Sequence, residues 1–118
     1  MSGIYTAQYR YSGPDRLDIT VKGQDPMGKV LAPTWEMVRG YKGNPSKFRS
    51  IYIGMYRAML DSRAVMPDTQ RLLFGILARA VKEDVTFVCF CRSGAFCHRV
   101  LAAGWIEANY NIEYKGER

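Results

Sequence analysis

All three cysteines and the only histidine of the chain stand close together, with two arginines among them: Cys89, Cys91, Arg92, Cys97, His98 and Arg99. A thiolate is a nucleophile and a metal ligand, and imidazole moves protons near neutral pH. Guanidinium grips phosphate or carboxylate with paired hydrogen bonds. The surrounding sequence suggests how these groups converge. The apolar run Val85 to Phe90 reads as a buried strand, residues 91–96 as a loop, and Cys97 as the start of a helix. The first-turn amides of a helix have no intrahelical acceptors, and its dipole places partial positive charge there. An anion is welcome at such an end, and the same field favours thiolate over thiol.

These features assign Cys91, Cys97 and His98 to catalysis, a thiolate from either cysteine and proton transfer by the imidazole. Arg92, Ser93 and Gly94, with the loop amides, would hold the anion, and Arg99 would orient it. Asp18 and Thr20 would approach from a neighbouring strand, and Tyr52 or Tyr56 would form a wall, Tyr56 being counted with the binding residues. Cys91-Arg92-Ser93-Gly94 looks like the start of the loop in rhodanese-type sulfurtransferases. It is not the phosphatase pattern, because Cys97 stands where that pattern needs an arginine. This assignment includes no metal ligand and points to no particular cofactor. Zinc held by Cys89, Cys91, Cys97 and His98 is the competing arrangement, although Cys-x-Cys is not the usual knuckle spacing. Cys89, inside the apolar run, reads as core, where free cysteine is common. The remaining alternative is a non-catalytic module that binds nucleic acid or protein.

The positioning elements follow from pattern. Ile4 to Tyr9 is rich in β-branched and aromatic residues and reads as a strand. Ser12-Gly13-Pro14-Asp15 is a turn, and Leu17, Ile19 and Val21 alternate with polar residues as in a second strand. Lys22 to Pro33 reads as a long loop of the kind that carries function. Thr34 caps a helix through Tyr41 and Ser46 caps another to about Ser62, with Phe48, Ile51, Tyr52, Met55 and Met59 as its apolar stripe. Asp68 caps a third, whose apolar face is Leu72, Leu73, Ile76, Leu77 and Ala80. A helix from Cys97 to about Asn109 presents Val100, Leu101, Trp105 and Ile106, and Ile112 to Tyr114 is a last strand. Alternation of helix and strand in this half predicts a single compact α/β domain spanning 1–118. Its sheet would be mainly parallel and flanked by helices in Rossmann-like layering. Ligands in such folds bind beyond the carboxyl ends of the strands.

Composition bounds the function. A chain of 118 residues, 47% hydrophobic and 24% charged, is ordinary for one globular domain and unlike a fibre or a disulfide scaffold. No apolar run approaches the roughly 20 residues that span a bilayer, and the N-terminus lacks a signal-peptide pattern, so the expectation is a cytoplasmic protein without a membrane partner. The net charge of +6 suits an anionic small molecule or nucleic acid. Its densest piece carries Arg39, Lys42, Lys47 and Arg49 with Tyr41 and Phe48 between them. That pattern reads first as a solvated face with inward aromatics, and second as a nucleic-acid grip. Oligomeric state is not readable from these residues.

The order of strand, cysteine, loop, Cys97-His98-Arg99, helix and a strand ending Tyr114-Lys115-Gly116-Glu117 resembles the domain of unknown function family 488. Ile4-Tyr5-Thr6, Leu17-Asp18-Ile19-Thr20, Leu31-Ala32-Pro33-Thr34-Trp35 with Tyr41-Lys42, and the spaced Tyr52 and Tyr56 are similar to it as well. Arg92 and Ser93 stand where the family often has an acidic residue, and Thr20 where many members have the arginine of Asp-x-Arg. The resemblance implies a compact α/β fold and no particular reaction. Small relatives of this kind also occur in bacteriophages.

Overall fold

The computed structural model describes residues 2–90 and 97–118. Its strands are β1 (Ile4–Gln8), β2 (Arg16–Asp18), β3 (Val85–Cys89) and β4 (Tyr114–Glu117), and its helices α1 (Pro26–Lys29), α2 (Trp35–Gly43), α3 (Pro45–Val65), α4 (Pro67–Lys82) and α5 (His98–Tyr110). The strands form one sheet in the order β2-β3-β1-β4. Every pairing is parallel, with Ile4 opposite Val85, Leu17 opposite Phe87 and Ile4 opposite Tyr114. The α/β layering expected from the alternation of elements is present.

All five residues of β3 are buried, which is why its sequence is apolar apart from Thr86 rather than alternating. Ile4, Val85 and Phe87 join one core with Leu73, Ile76, Ala102 and Ile106 of the helices. On the opposite face Thr86 is buried, donating to Asp15 at 2.7 Å and accepting from the Arg118 guanidinium at 2.9 Å.

Local chemistry explains most boundaries. Thr34 caps α2, its Oγ1 accepting the Met37 amide at 3.2 Å. Asn44, two residues earlier than the expected Ser46, caps α3 by accepting the Lys47 amide at 3.3 Å. Asp68 falls inside the first turn of α4 and not at its cap, because Pro67 already opens that helix. β2 stops at Asp18, short of Val21: its carboxylate turns back to accept the Thr20 amide at 2.9 Å, ending the extended run. The last strand begins at Tyr114, after Asn111 closes α5 in a left-handed conformation (φ 57°).

Two expectations shift. The stripe of α3 is rotated: Tyr52, Tyr56 and Leu60 are buried, whereas Ile51 and Met55 are exposed. The segment 22–33 is no open loop. It contains α1, capped by Asp25, and Val30, Leu31 and Ala32 are buried. Buried carbonyls need donors. The Tyr56 hydroxyl donates to Leu31 at 2.6 Å, and Arg63 Nη1 donates to Val30 and Ala32, each at 2.8 Å.

α1 sits directly on the end of β2, and a Cβ on Gly28 would collide with the Asp18 carbonyl oxygen. Gly28→Ala should therefore lower stability by about 1–3 kcal/mol, since backbone must move to admit the methyl. Urea denaturation measures it, and an unchanged midpoint would contradict the packing of α1 on β2.

Candidate functional site

The carboxyl ends of β1 and β3 lie level, Gln8 opposite Cys89, with Asp18 of β2 opposite Val88. Beyond β2 and β3 a cavity of about 330 Å³ opens, lined by Thr20, Val21 and Lys22 after β2, Cys89 and Phe90 at the end of β3, and Cys97 and His98 at the start of α5. The far wall comes from Pro33, from Trp35, Val38, Tyr41 and Lys42 of α2, and from Tyr52 of α3. The location is the one expected for a parallel α/β sheet.

At the floor, the structure pairs Cys89 with Cys97 as a disulfide, their Cα atoms 7.8 Å apart. The two sulfurs and a ring nitrogen of His98 lie within 4.8 Å of one another, and all three residues are buried. His98 Nε2 is 2.8 Å from the Ile19 carbonyl oxygen. A carbonyl only accepts, so Nε2 carries the hydrogen and Nδ1 holds a lone pair. Nδ1 faces Cys97 Sγ at 3.8 Å. Burial holds the imidazole down to a pKa of about 4; the Ile19 carbonyl works against that shift and Arg99 adds to it. His98 is thus neutral at physiological pH.

Arg99 is 1% exposed. Its Nε and Nη2 donate to the two oxygens of Glu117 at 3.1 and 2.7 Å, and its Nη1 donates to Cys89 Sγ at 3.1 Å. The guanidinium therefore stands behind the cavity, tying α5 to β4 and to the end of β3. Cys97 is the N-cap of α5 and makes no side-chain capping bond.

The other sequence-derived residues divide. Thr20 lines the cavity. Asp18 does not; it takes the Thr20 amide and, at 3.2 Å, the Tyr9 hydroxyl. Tyr52 forms a wall, while Tyr56 lies behind it with its ring edge-on to His98 at 5.8 Å. Cys91, Arg92, Ser93 and Gly94 lie outside the described residues. Of the basic segment, Arg39, Lys42, Lys47 and Arg49 are exposed, and Tyr41 and Phe48 pack against the core, as the solvated-face reading expected. Lys42 joins that face to the cavity.

Sequence reasoning missed Lys22, Trp35 and Glu117 as site residues. Lys22 was reachable, since it directly follows the alternating run Leu17 to Val21. Trp35 and Glu117 needed the fold, because they arrive from a distant helix and from the last strand.

A family model described as the active DUF488-N3 subclade, DUF488-N3a, matches residues 4–110, from the first strand through α5. The chain belongs to this family. No curated protein and no solved structure matches it. Among the described residues no helix is long and apolar enough to cross a membrane.

Two measurements probe this geometry. Between about pH 6.5 and 4 the unfolded chain binds a proton at His98 that the folded one refuses, so stability falls as pH drops through that window, by about 3 kcal/mol. Chelator-treated wild type should show that slope in urea titrations. His98→Gln, which keeps an amide N–H for Ile19 but does not titrate, should show a flatter one. Separately, Glu117→Ala deprives a buried guanidinium of its carboxylate and should cost about 3 kcal/mol, the low end of the range because Glu117 is partly exposed. A loss below about 1 kcal/mol, the surface-pair range, would show that the pair does not anchor α5.

Proposed function

We propose that this DUF488-N3a protein binds an anionic ligand, a nucleotide or a nucleic-acid phosphate, in the cavity beyond β2 and β3. The observation that carries the reading is the composition of that cavity. Lys22 and Lys42 line it together with Trp35, Tyr41 and Tyr52, and the start of α5 lies at its floor. Ammonium groups and the first turn of a helix suit phosphate, and aromatic faces suit a base. The volume, about 330 Å³, falls in the range of small-molecule sites, roughly 300–1,000 Å³. Lys22 Nζ stands 5.8 Å from the centre of the Trp35 ring, so cation and aromatic surface are presented together. The exposed basic face of α2 and the start of α3 continues outward from Lys42, a path that a polynucleotide could follow.

Binding, rather than proton transfer, is the core of this reading. A histidine with a pKa of about 4 is a weak base at neutral pH, and acid–base catalysis works best when the pKa is near the operating pH. Chemistry on the ligand would fall to the groups at the cavity floor, Cys97 among them once its disulfide with Cys89 is reduced.

Calorimetric titration with nucleoside 5′-monophosphates, bare nucleosides and short oligonucleotides tests the proposal. Monophosphates should bind and nucleosides should bind at least tenfold more weakly. Lys22→Ala and Lys42→Ala should each weaken the monophosphate about tenfold, the worth of one charge-assisted hydrogen bond. A steep loss with added salt only for oligonucleotides would identify a polynucleotide as the ligand. Equal binding of nucleoside and monophosphate, or indifference to both lysine substitutions, would remove the anion from the reading.

A further inference from the structure

The floor of the cavity carries an inference that does not depend on the anion. Cys89, Cys97 and His98 come from two elements, the end of β3 and the cap and first residue of α5, yet their ligand atoms lie within 4.8 Å of one another. We infer that, with its two cysteines reduced, this cluster is a site for a soft divalent metal ion of the zinc type, held by Cys89 Sγ, Cys97 Sγ and His98 Nδ1, with a fourth position facing the cavity.

The distances among these groups support it. Tetrahedral zinc with Zn–S of about 2.3 Å and Zn–N of about 2.0 Å sets ligand atoms roughly 3.5–3.8 Å apart. The 3.8 Å between Cys97 Sγ and His98 Nδ1 is already that edge. The Cα spacing of Cys89 and Cys97, 7.8 Å, exceeds the roughly 4.4–6.8 Å usual for cysteines that bridge directly. An interposed ion moves sulfurs from about 2.0 Å to about 3.8 Å apart, and the wider backbone spacing suits it.

The outer contacts are those of a ligand set. The Ile19 carbonyl takes the Nε2 hydrogen at 2.8 Å, which fixes the tautomer and turns the Nδ1 lone pair toward the cysteines. Histidine ligands are commonly oriented in this way. Arg99 Nη1, 3.1 Å from Cys89 Sγ, stabilises the thiolate that a metal requires. Two thiolates and one imidazole are soft and borderline donors, which select zinc over magnesium or calcium. Among the described residues the set is three protein ligands beside a cavity, the pattern of zinc sites that keep a position for water or substrate.

The disulfide and the metal site are alternative states of the same two sulfurs. A disulfide carries no thiolate, so metal binds only the dithiol.

The experiment uses the full chain, purified under a phosphine reductant without chelator. Metal analysis should give close to one zinc per chain. Cobalt(II) added to the zinc-free protein should produce the intense d–d bands of a tetrahedral site and thiolate-to-cobalt charge transfer, and azide should shift the d–d bands if the fourth position is open. Zinc should protect two thiols from alkylation in the wild-type protein, a readout that needs no variant to fold. Cys97→Ser should lose the charge-transfer intensity of one thiolate and weaken zinc at least tenfold. His98→Ala should weaken zinc while leaving both thiolate contributions.

An octahedral cobalt spectrum with unprotected thiols would overturn the proposal. So would Cys89 and Cys97 remaining joined under reductant, or unchanged zinc affinity in Cys97→Ser. No nucleotide enters any arm, so this proposal and the anion reading fail separately.

Discussion

A guanidinium removed from water must find its charge and hydrogen bonds inside the protein, and Arg99 is in that position. Its fork closes on Glu117, and the remaining N–H group reaches Cys89. Glu117 also accepts from Thr6 Oγ1, which in turn meets the Tyr114 hydroxyl at 2.7 Å. One side chain thereby joins the first turn of α5 to both outer and central parallel strands. β4 is half-exposed along most of its length and pairs with β1. The ion pair fixes its place and, with it, the place of the residues that precede Arg99. Cys97 and His98 line the cavity, and Arg99, the next residue, turns away from it to Glu117.

The opposite wall follows the same logic of satisfied polar groups. The chain from α1 to α2 runs buried between β2 and α3, so its carbonyls would be costly without donors. Tyr56 and Arg63 of α3 supply them. α3 therefore supports the segment that leads to Pro33 and Trp35, while Tyr52, one turn away from Tyr56, reaches the cavity itself. The two tyrosines are stacked with ring centres 6.1 Å apart, yet one faces ligand space and the other holds backbone. Burial pushes both phenols well above their ordinary pKa, so both stay neutral donors.

Much of the fold is legible in the chain because it depends on near neighbours. The apolar run at Val85 to Cys89 needs only its own composition to announce a covered strand. Thr34 before Trp35 marks a helix start through a bond spanning three residues, whereas the cap of α3 is Asn44 and not the expected Ser46. The rotation of the α3 stripe was not legible, since Ile51 and Tyr52, or Met55 and Tyr56, are adjacent and comparably apolar. Which of each pair turns inward depends on what the helix meets, and at Tyr56 it meets the buried Leu31 carbonyl, which takes the hydroxyl hydrogen. The early end of β2 likewise comes from one side chain, Asp18, bonding its own backbone instead of letting the alternation continue.

For the site, the sequence by itself determined the inventory and the address: thiols, imidazole and guanidinium at the junction of a buried strand and a helix, beyond the carboxyl end of that strand. Tertiary structure decided the partners. Cys89 meets Cys97, His98 gives its hydrogen to Ile19, and Arg99 turns to Glu117. The reason is range. Elements form from interactions among a few consecutive residues, whereas the direction of each functional side chain is set by groups that arrive from other strands, and no local pattern encodes them.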